Sequence, residues 1–261
     1  MIPKVIHYCW FGRGTMPPLA LNCIASWKKY CPDFQIKEWN EDNFDLDLFP
    51  YAREAYDNKK FAFVTDVVRL YALYHEGGVY MDTDVEVIKP LDKFLVHHAF
   101  SGFENLKEVP TGIMASEKGG KWAQENLEYY VGRHFLLPDG QLDITPNVKT
   151  ITRLLLPYGL KQNNTFQDFP GLITMYPKDY FCPKSPDTGE IILTNNTCTI
   201  HHFNGSWWPD GARFKRKLIA KGVPAPLAYV LSQSIYFPKH VVQHLVNGTF
   251  WQQVKKHMKN Q

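Results

Sequence analysis

The run Phe61–Asp92, FAFVTDVVRLYALYHEGGVYMDTDVEVIKPLD, changes its period partway along, and that change constrains the fold more than any other feature of the chain. In FAFVTDVVRLYALY, apolar residues recur three and four apart, as on a helix with a buried face, and Gly77 and Gly78 follow as a stop. VYMDTDVEVI then reads as one strand. The preceding segments alternate in the same way. KVIHYCWF, bounded by GRG, reads as a first strand; LALNCIASWKKYCP has helical spacing at Leu21, Ile24, Ala25 and Trp27 and is ended by Pro32; FQIKEWN reads as a second strand. Strand and helix in alternation predict an α/β chain with a mixed, mostly parallel sheet and ligands at the carboxyl ends of its strands. Further on, Gly112–Ser116 (GIMAS) reads as a strand, and DITPNVKTITRLL as a loop entering a helix near Pro146.

At 261 residues and 44% hydrophobic, the chain is of the size of one large α/β domain, and it carries no internal repeat. We divide it into residues 1–110, 111–209 and a basic helical extension, 210–261. No segment approaches the length of a membrane span and the opening MIPKVIHYCWFG has no leader pattern, so a soluble cytoplasmic protein, or one peripheral at the inner face of a membrane, is expected. Five cysteines, an odd number without a C-x-x-C pair, are expected as reduced core thiols. The net charge is +3, yet from Gly211 onward there are nine Lys and Arg and no acid. Such a segment suits an anionic membrane surface, a phosphorylated substrate or nucleic acid, and equally a plain solvated surface.

Asp82 and Asp84, two apart, point the same way on a regular strand. Two carboxylates on one side repel unless a cation lies near them, and Mn²⁺ or Mg²⁺ held against a diphosphate takes oxygen ligands of this kind; the alternative is an ordinary acidic turn. Asp66 and Arg69, three apart, share a helix face and are the only charges in FAFVTDVVRLYALY. An exposed ion pair is one reading. The other is a buried pair that accepts from sugar hydroxyls through the carboxylate and donates a rigid fork to hydroxyl or phosphate oxygens.

IHYCWFG, TDVVRLYALYHEGGVYMDTDVEVIKPLD and the late HHFNGSWWPDGAR together resemble the DXD-containing glycosyltransferases of family 32, which include yeast initiating mannosyltransferases and many bacterial capsule and exopolysaccharide enzymes, and the glucosyltransferase domain of the large clostridial toxins. The resemblance is strong over roughly the first hundred residues and loose through the middle. It implies a GT-A fold, a single Rossmann-like nucleotide-binding domain, and a retaining hexosyl transfer that depends on Mn²⁺ or Mg²⁺. Carried over by residue, Trp10 stacks on the uracil of the donor, with Phe11 and Tyr80 as further donor contacts. Asp66 and Arg69 hold the transferred sugar, Asp82 contacts ribose or sugar beside the metal, and Asp84 binds the metal directly; these four form the expected catalytic set. His202 takes the place of the acid that completes the metal site in the toxins, with His201 the adjacent alternative. Ser206 and Trp207, with Trp208 as the alternative, reach the β-phosphate from a closing loop. The partners implied are a nucleotide-sugar, UDP-galactose or UDP-glucose before an N-acetylhexosamine donor or GDP-mannose, and a glycan acceptor on a lipid pyrophosphate in bacterial surface polysaccharide synthesis. Nucleic acid is not among them. Asp143 and Thr145 could meet an acceptor hydroxyl, although Thr145 equally suits a helix cap. A toxin-like protein-modifying transferase and a non-catalytic sugar-nucleotide-binding protein remain the alternatives.

Overall fold

A computed structural model describes residues 1–109, 112–186, 188–205 and 210–236. The first strand, β1 (Val5–Cys9), is buried along nearly its whole length. Helix α1 (Pro18–Tyr30) starts with Pro18, whose fixed φ suits the first turn and whose missing N–H costs nothing there. Its last turn carries Lys28 and Lys29, matched to the negative end of the helix dipole. Strand β2 (Gln35–Trp39) then pairs parallel with β1 from Val5↔Gln35 to Cys9↔Trp39.

After α2 (Pro50–Asp57), the predicted long helix appears as α3 (Phe61–His75). Apolar nearly all round, it is buried on most sides, as such a helix must be. The two glycines end it by conformation: Gly77 and Gly78 have φ of +71° and +114°, and Gly77 N–H donates back to Leu73 O at 3.0 Å. Gly78 also has no room for a side chain, because a Cβ there would stand 2.6 Å from Val5 O. Strand β3 (Gly78–Met81) therefore lies tight against β1, in parallel.

The VYMDTDVEVI run is not one strand. It divides into β3 and β4 (Val85–Val87), which belong to different sheets. The strands β5 (Ala99–Gly102), β6 (Ile113–Ser116), β7 (Gln167–Phe169) and β8 (Ile173–Tyr176) complete a seven-stranded sheet of order β2-β1-β3-β6-β5-β8-β7. Five strands point one way, and β6 and β7 run against them. The class is α/β with a mixed sheet directed mostly one way. Neighbouring residues of β3 serve two cores: Tyr80 packs with α3, while Val79 and Met81 pack with Cys23 and Trp27 of α1.

On the α1 side lies a second, two-stranded sheet of β4 with β9 (Thr199–His201). Trp27 Nε1 donates to Val85 O at 2.7 Å, and Val87 N–H donates to Ser26 Oγ at 2.9 Å, so α1 grips β4 directly. Helix α4 (Lys121–Glu128) packs its Trp122 and Leu127 into the core beside α3. Helix α5 (Asn147–Leu155) begins near Pro146 as predicted, but Thr145 does not cap it; Pro146 holds the cap position and no side-chain cap hydrogen bond forms. A short helix, α6 (Lys178–Phe181), follows β8. The five cysteines are free and buried.

Residues 1–184 and 191–204 form one compact unit, and 185–190 with 205–261 a second. Within the described part of the second, α7 (Asp210–Ala220) and α8 (Ala225–Tyr236) are joined through Gly222, whose φ is +84°. Among the described residues no helix is long and apolar enough to cross a membrane.

Candidate metal and sugar site

The site grows from the point where β3 stops. Asp82 N–H donates to Gly112 O at 2.8 Å, continuing the pairing with β6, and Val85 N–H donates back to Asp82 O at 3.0 Å. That i→i+3 bond turns the chain out of the large sheet and into β4. Asp82 and Asp84 thus sit in a turn and not in a regular strand. The turn still delivers both carboxylates to one place, because ligand atoms of Asp82, Asp84 and His201 lie within 4.8 Å of one another.

His201 arrives through strand register. β9 pairs antiparallel with β4 so that His201 stands opposite Val85, beside the turn. Its Nε2 is 3.3 Å from Asp84 Oδ1, and its Nδ1 faces Cys182 Sγ at 4.0 Å. Phe203 stacks on the imidazole with ring centroids 4.1 Å apart, and Gly112 borders it so closely that a Cβ at that position would stand 2.7 Å from Nδ1. His202, expected as the third ligand, is outside this group. It follows His201 on the other side of the chain, and its Nε2 meets Glu86 Oε2 at 2.9 Å while its backbone N–H donates to Asp84 O.

The carboxylates are held unequally. Burial works to raise the Asp84 pKa, but His201, by its charge and its hydrogen bond, and the Asn204 N–H on Oδ2 at 2.7 Å outweigh it and bring it down to about 2. Asp82 is raised, by burial first and then by the Asp84 charge, against the pull of Arg69. For His201, burial lowers the pKa and Asp84 overrides it, so the ring is held well above its ordinary value. Two close carboxylates and an imidazole are an oxygen-and-nitrogen donor set suited to a divalent cation. Asp84 is ionised at any working pH, and the Asp82 carboxylate stands close beside it. The residues present therefore fit such an ion.

Next to this group lies a buried polar knot on α3. Arg69 donates through Nε to Thr65 O at 3.0 Å, and the same guanidinium reaches Thr65 Oγ1 at 2.9 Å, Asp66 Oδ1 at 3.1 Å and Asp82 Oδ1 at 3.4 Å. It also stands over the Tyr80 ring, 4.7 Å from its centroid. Tyr80, 2% exposed, donates its hydroxyl to Asp82 Oδ1 at 2.8 Å, so it orients a carboxylate instead of presenting a face. Asp66 is pushed up to about 7 by burial, with Arg69 opposing and Asp82 assisting. Its Oδ1 also accepts from Asn147 Nδ2 at 2.6 Å. Asn147 opens α5, 81 residues further along the chain. No spacing in the sequence points to it.

Trp10 leaves the carboxyl end of β1 and is partly exposed, with its indole Nε1 donating to Gly14 O at 2.6 Å and its backbone N–H to Trp39 O. Phe11, expected among the donor contacts, is 6% exposed and its ring packs edge-on against Phe44 in the core. Ser206, Trp207 and Trp208 lie outside the described residues. Asp143 meets Arg133 at 3.3 Å and accepts from Thr145 N–H, an arrangement internal to the loop.

Parts of this chain are similar in sequence to known proteins. A stretch of 122 residues is 28% identical to inositol phosphoceramide mannosyltransferase 3 of Schizosaccharomyces pombe, covering 45% of this chain and 34% of that protein. Inositol phosphoceramide mannosyltransferase 2 of the same yeast is 32% identical over 127 residues, 44% of this chain and 34% of its own. The match thus spans about a third of these relatives' length. An uncharacterized glycosyltransferase of Acanthamoeba polyphaga mimivirus is 27% identical over 222 residues, 80% of this chain and 84% of its own. Among solved structures, a glycosyltransferase involved in glycosylation of the major capsid of PBCV-1 gives a TM-score of 0.47 at 13% identity, covering 78% of this chain and 95% of its own. Residues 17–101, which hold Asp66, Arg69, Asp82 and Asp84, match the family model described as the glycosyltransferase sugar-binding region containing the DXD motif.

Proposed function

We propose that this chain is a GT-A-type glycosyltransferase that moves a hexose from a nucleotide-sugar to a glycan acceptor with retention of configuration. The observation that carries the reading is the meeting of Asp82, Asp84 and His201 beside the buried Asp66–Arg69–Asn147 knot, at the carboxyl edge of an α/β sheet. Asp84 and His201, with Asp82, would hold Mn²⁺ or Mg²⁺. When bound, the ion supplies Lewis-acid stabilisation of charge on the departing diphosphate.

The protein's own groups do the rest. Trp10 presents a partly exposed indole whose plane suits a nucleobase, pinned by the bond to Gly14. Asp66 accepts from a hydroxyl of the transferred sugar, held in place by Asn147 and Arg69. The Arg69 guanidinium also keeps Asp82 ionisable in a buried setting. Ser206 and Trp207 belong to this proposal as the phosphate-gripping, water-excluding loop. So does a setting in surface polysaccharide synthesis, with the basic carboxyl segment resting on the inner face of a membrane.

The donor has two readings. UDP-galactose or UDP-glucose is the first, and GDP-mannose, which the mannosyltransferase names of the yeast relatives favour, is the second. A panel of UDP- and GDP-sugars, incubated with and without Mn²⁺ and assayed for released nucleoside diphosphate, separates them. Metal-dependent release from one donor, abolished by Asp84→Ala, is the expected result. Tight nucleotide-sugar binding without release, even with acceptor mixtures present, favours the non-catalytic binding reading. Absence of both binding and release refutes the assignment.

A further inference from the structure

Glu104 stands two residues beyond the end of β5, at the same carboxyl edge as Asp82. In the sheet β5 is separated from β3 by β6 alone, so by strand spacing it lies about 10 Å across from β3. Trp10 and β1 lie on the other flank of β3. Glu104 therefore lies at the same sheet edge as the metal group, on the side away from the expected nucleotide.

Its backbone is held from both ends. Phe103, fully buried, donates its N–H to Tyr176 O at 2.9 Å, and Glu104 N–H donates to Glu108 O at 2.9 Å. Asn105 Oδ1 accepts from the N–H groups of Lys107 and Glu108, and Asn105 Nδ2 donates to Glu108 Oε2 at 2.9 Å. Val109 N–H then donates to Thr152 Oγ1 of α5, the helix that also supplies Asn147. At the start of β6, Ser101 Oγ donates to Ile113 O, next to the Gly112 that borders His201. Every polar group of this turn named here has a protein partner. The Glu104 carboxylate does not: among the described residues it takes part in no hydrogen bond or ion pair. Burial, the largest influence, raises its pKa; the Asp82 and Asp84 charges add to that, and His201 opposes it. A half-buried carboxylate on a braced turn at this edge, with its lone pairs unspent, is built to receive a donor from outside the protein.

We propose that Glu104 is an acceptor-binding residue, accepting a hydrogen bond from a hydroxyl of the glycan acceptor and fixing it beside the transferred sugar. The assignment rests on the glycosyltransferase reading above. It names the acceptor flank of the site as the β6–β5 side and the ligand chemistry as a sugar hydroxyl.

The test uses the full chain with Mn²⁺, the donor found in the panel, and p-nitrophenyl glycosides of glucose, galactose, mannose and N-acetylglucosamine as acceptor probes. Glu104→Gln keeps the shape and removes the charge, and Glu104→Ala removes the reach. Both are expected to lower kcat/KM for the acceptor probe at least tenfold while donor hydrolysis and nucleoside diphosphate affinity stay within twofold. Glu104→Asp, with a shorter reach, is expected to raise KM for the probe more than it lowers kcat. Loss of donor hydrolysis in step with transfer would overturn the acceptor assignment by moving Glu104 to the donor. An unchanged acceptor KM in an active chain overturns it as well. If the unsubstituted chain turns over no donor at all, the glycosyltransferase reading fails, a result distinct from either of these.

Discussion

Gly112→Ala offers the most direct test of how His201, the proposed third ligand, is placed. The added Cβ would meet His201 at Nδ1, Cε1 and Cγ, at 2.7, 3.0 and 3.1 Å, so it presses on the ring itself and not on the tip of a flexible chain. Reaching the 3.4 Å of ordinary contact requires a displacement of about 0.7 Å. The imidazole has little room to move, since Asp84, Cys182 and Phe203 all engage it. Gly112 O is also the acceptor for Asp82 N–H, so a backbone shift in place of a ring shift disturbs the first aspartate. Metal–ligand distances tolerate about ±0.2 Å, several times less than that displacement. We expect Mn²⁺ affinity to fall by about 10- to 100-fold, the range seen when a group orienting a ligand is altered, and stability to fall by about 1–3 kcal/mol from overpacking. Titration calorimetry of Mn²⁺ with nucleoside diphosphate present, alongside a thermal melt, reads both. Unchanged Mn²⁺ affinity in a folded Gly112→Ala chain would show that His201 is not where the metal is held.

Three further outcomes follow. His201→Ala is expected to lower Mn²⁺ affinity by at least tenfold, whereas His202→Ala, which removes a partner of the part-exposed Glu86, leaves it within about threefold; the reverse order in the same titration would restore His202 as the ligand. Asn147→Ala strips a donor from the buried Asp66 carboxylate and should cost about 1–3 kcal/mol, read by urea denaturation, with no loss if Asp66 is content with Arg69 alone. Asp66 carries a folded pKa of about 7 against 3.8 as the ordinary value, so between about pH 4 and 7 the folded chain holds a proton there that the unfolded chain releases. Rising pH therefore lowers stability through this group across that window, by at most about 1.4 kcal/mol per pH unit, and Asp66→Asn should flatten the decline in melts taken from pH 4.5 to 8; an unaltered slope refutes the buried-proton account.

Much of this architecture is legible in the residues, and its failures have physical causes. α1 and α3 announce themselves by helical spacing, with Pro32 and the two glycines marking their ends, and β1 by a β-rich run closed by GRG. The VYMDTDVEVI run misleads because its alternation continues through a turn. What breaks the strand is a bond from Val85 N–H to Asp82 O, a choice the side chains do not reveal. The two histidines are visible as a pair, but only the register of β9 against β4 decides which one faces the aspartates. Phe11 looks like a ligand contact by its place after the first strand, while its ring is needed to pack against Phe44. Asn147 and Glu104 are silent in sequence for a shared reason. Their roles depend on neighbours brought by the fold from distant segments, and neither sits in a pattern that local propensity would shape.

The pairing of β4 with β9 has a consequence for the order in which the molecule is built. His202 and Glu86, which close that small sheet, are 116 residues apart, whereas β1, α1, β2, α3 and β3 follow one another along the first third of the chain. Loop closure over such a span is entropically dear, so β1, β2 and β3, whose end leads into the aspartates, can pair before the histidine arrives. The full donor set then exists only once the chain has come back on itself. If the site holds a cation as proposed, binding reports completed folding. By mass action the ion would then act as a clasp on β9, and a chelator added to the loaded protein should loosen residues 199–204 in hydrogen exchange well before it disturbs the strands of the large sheet.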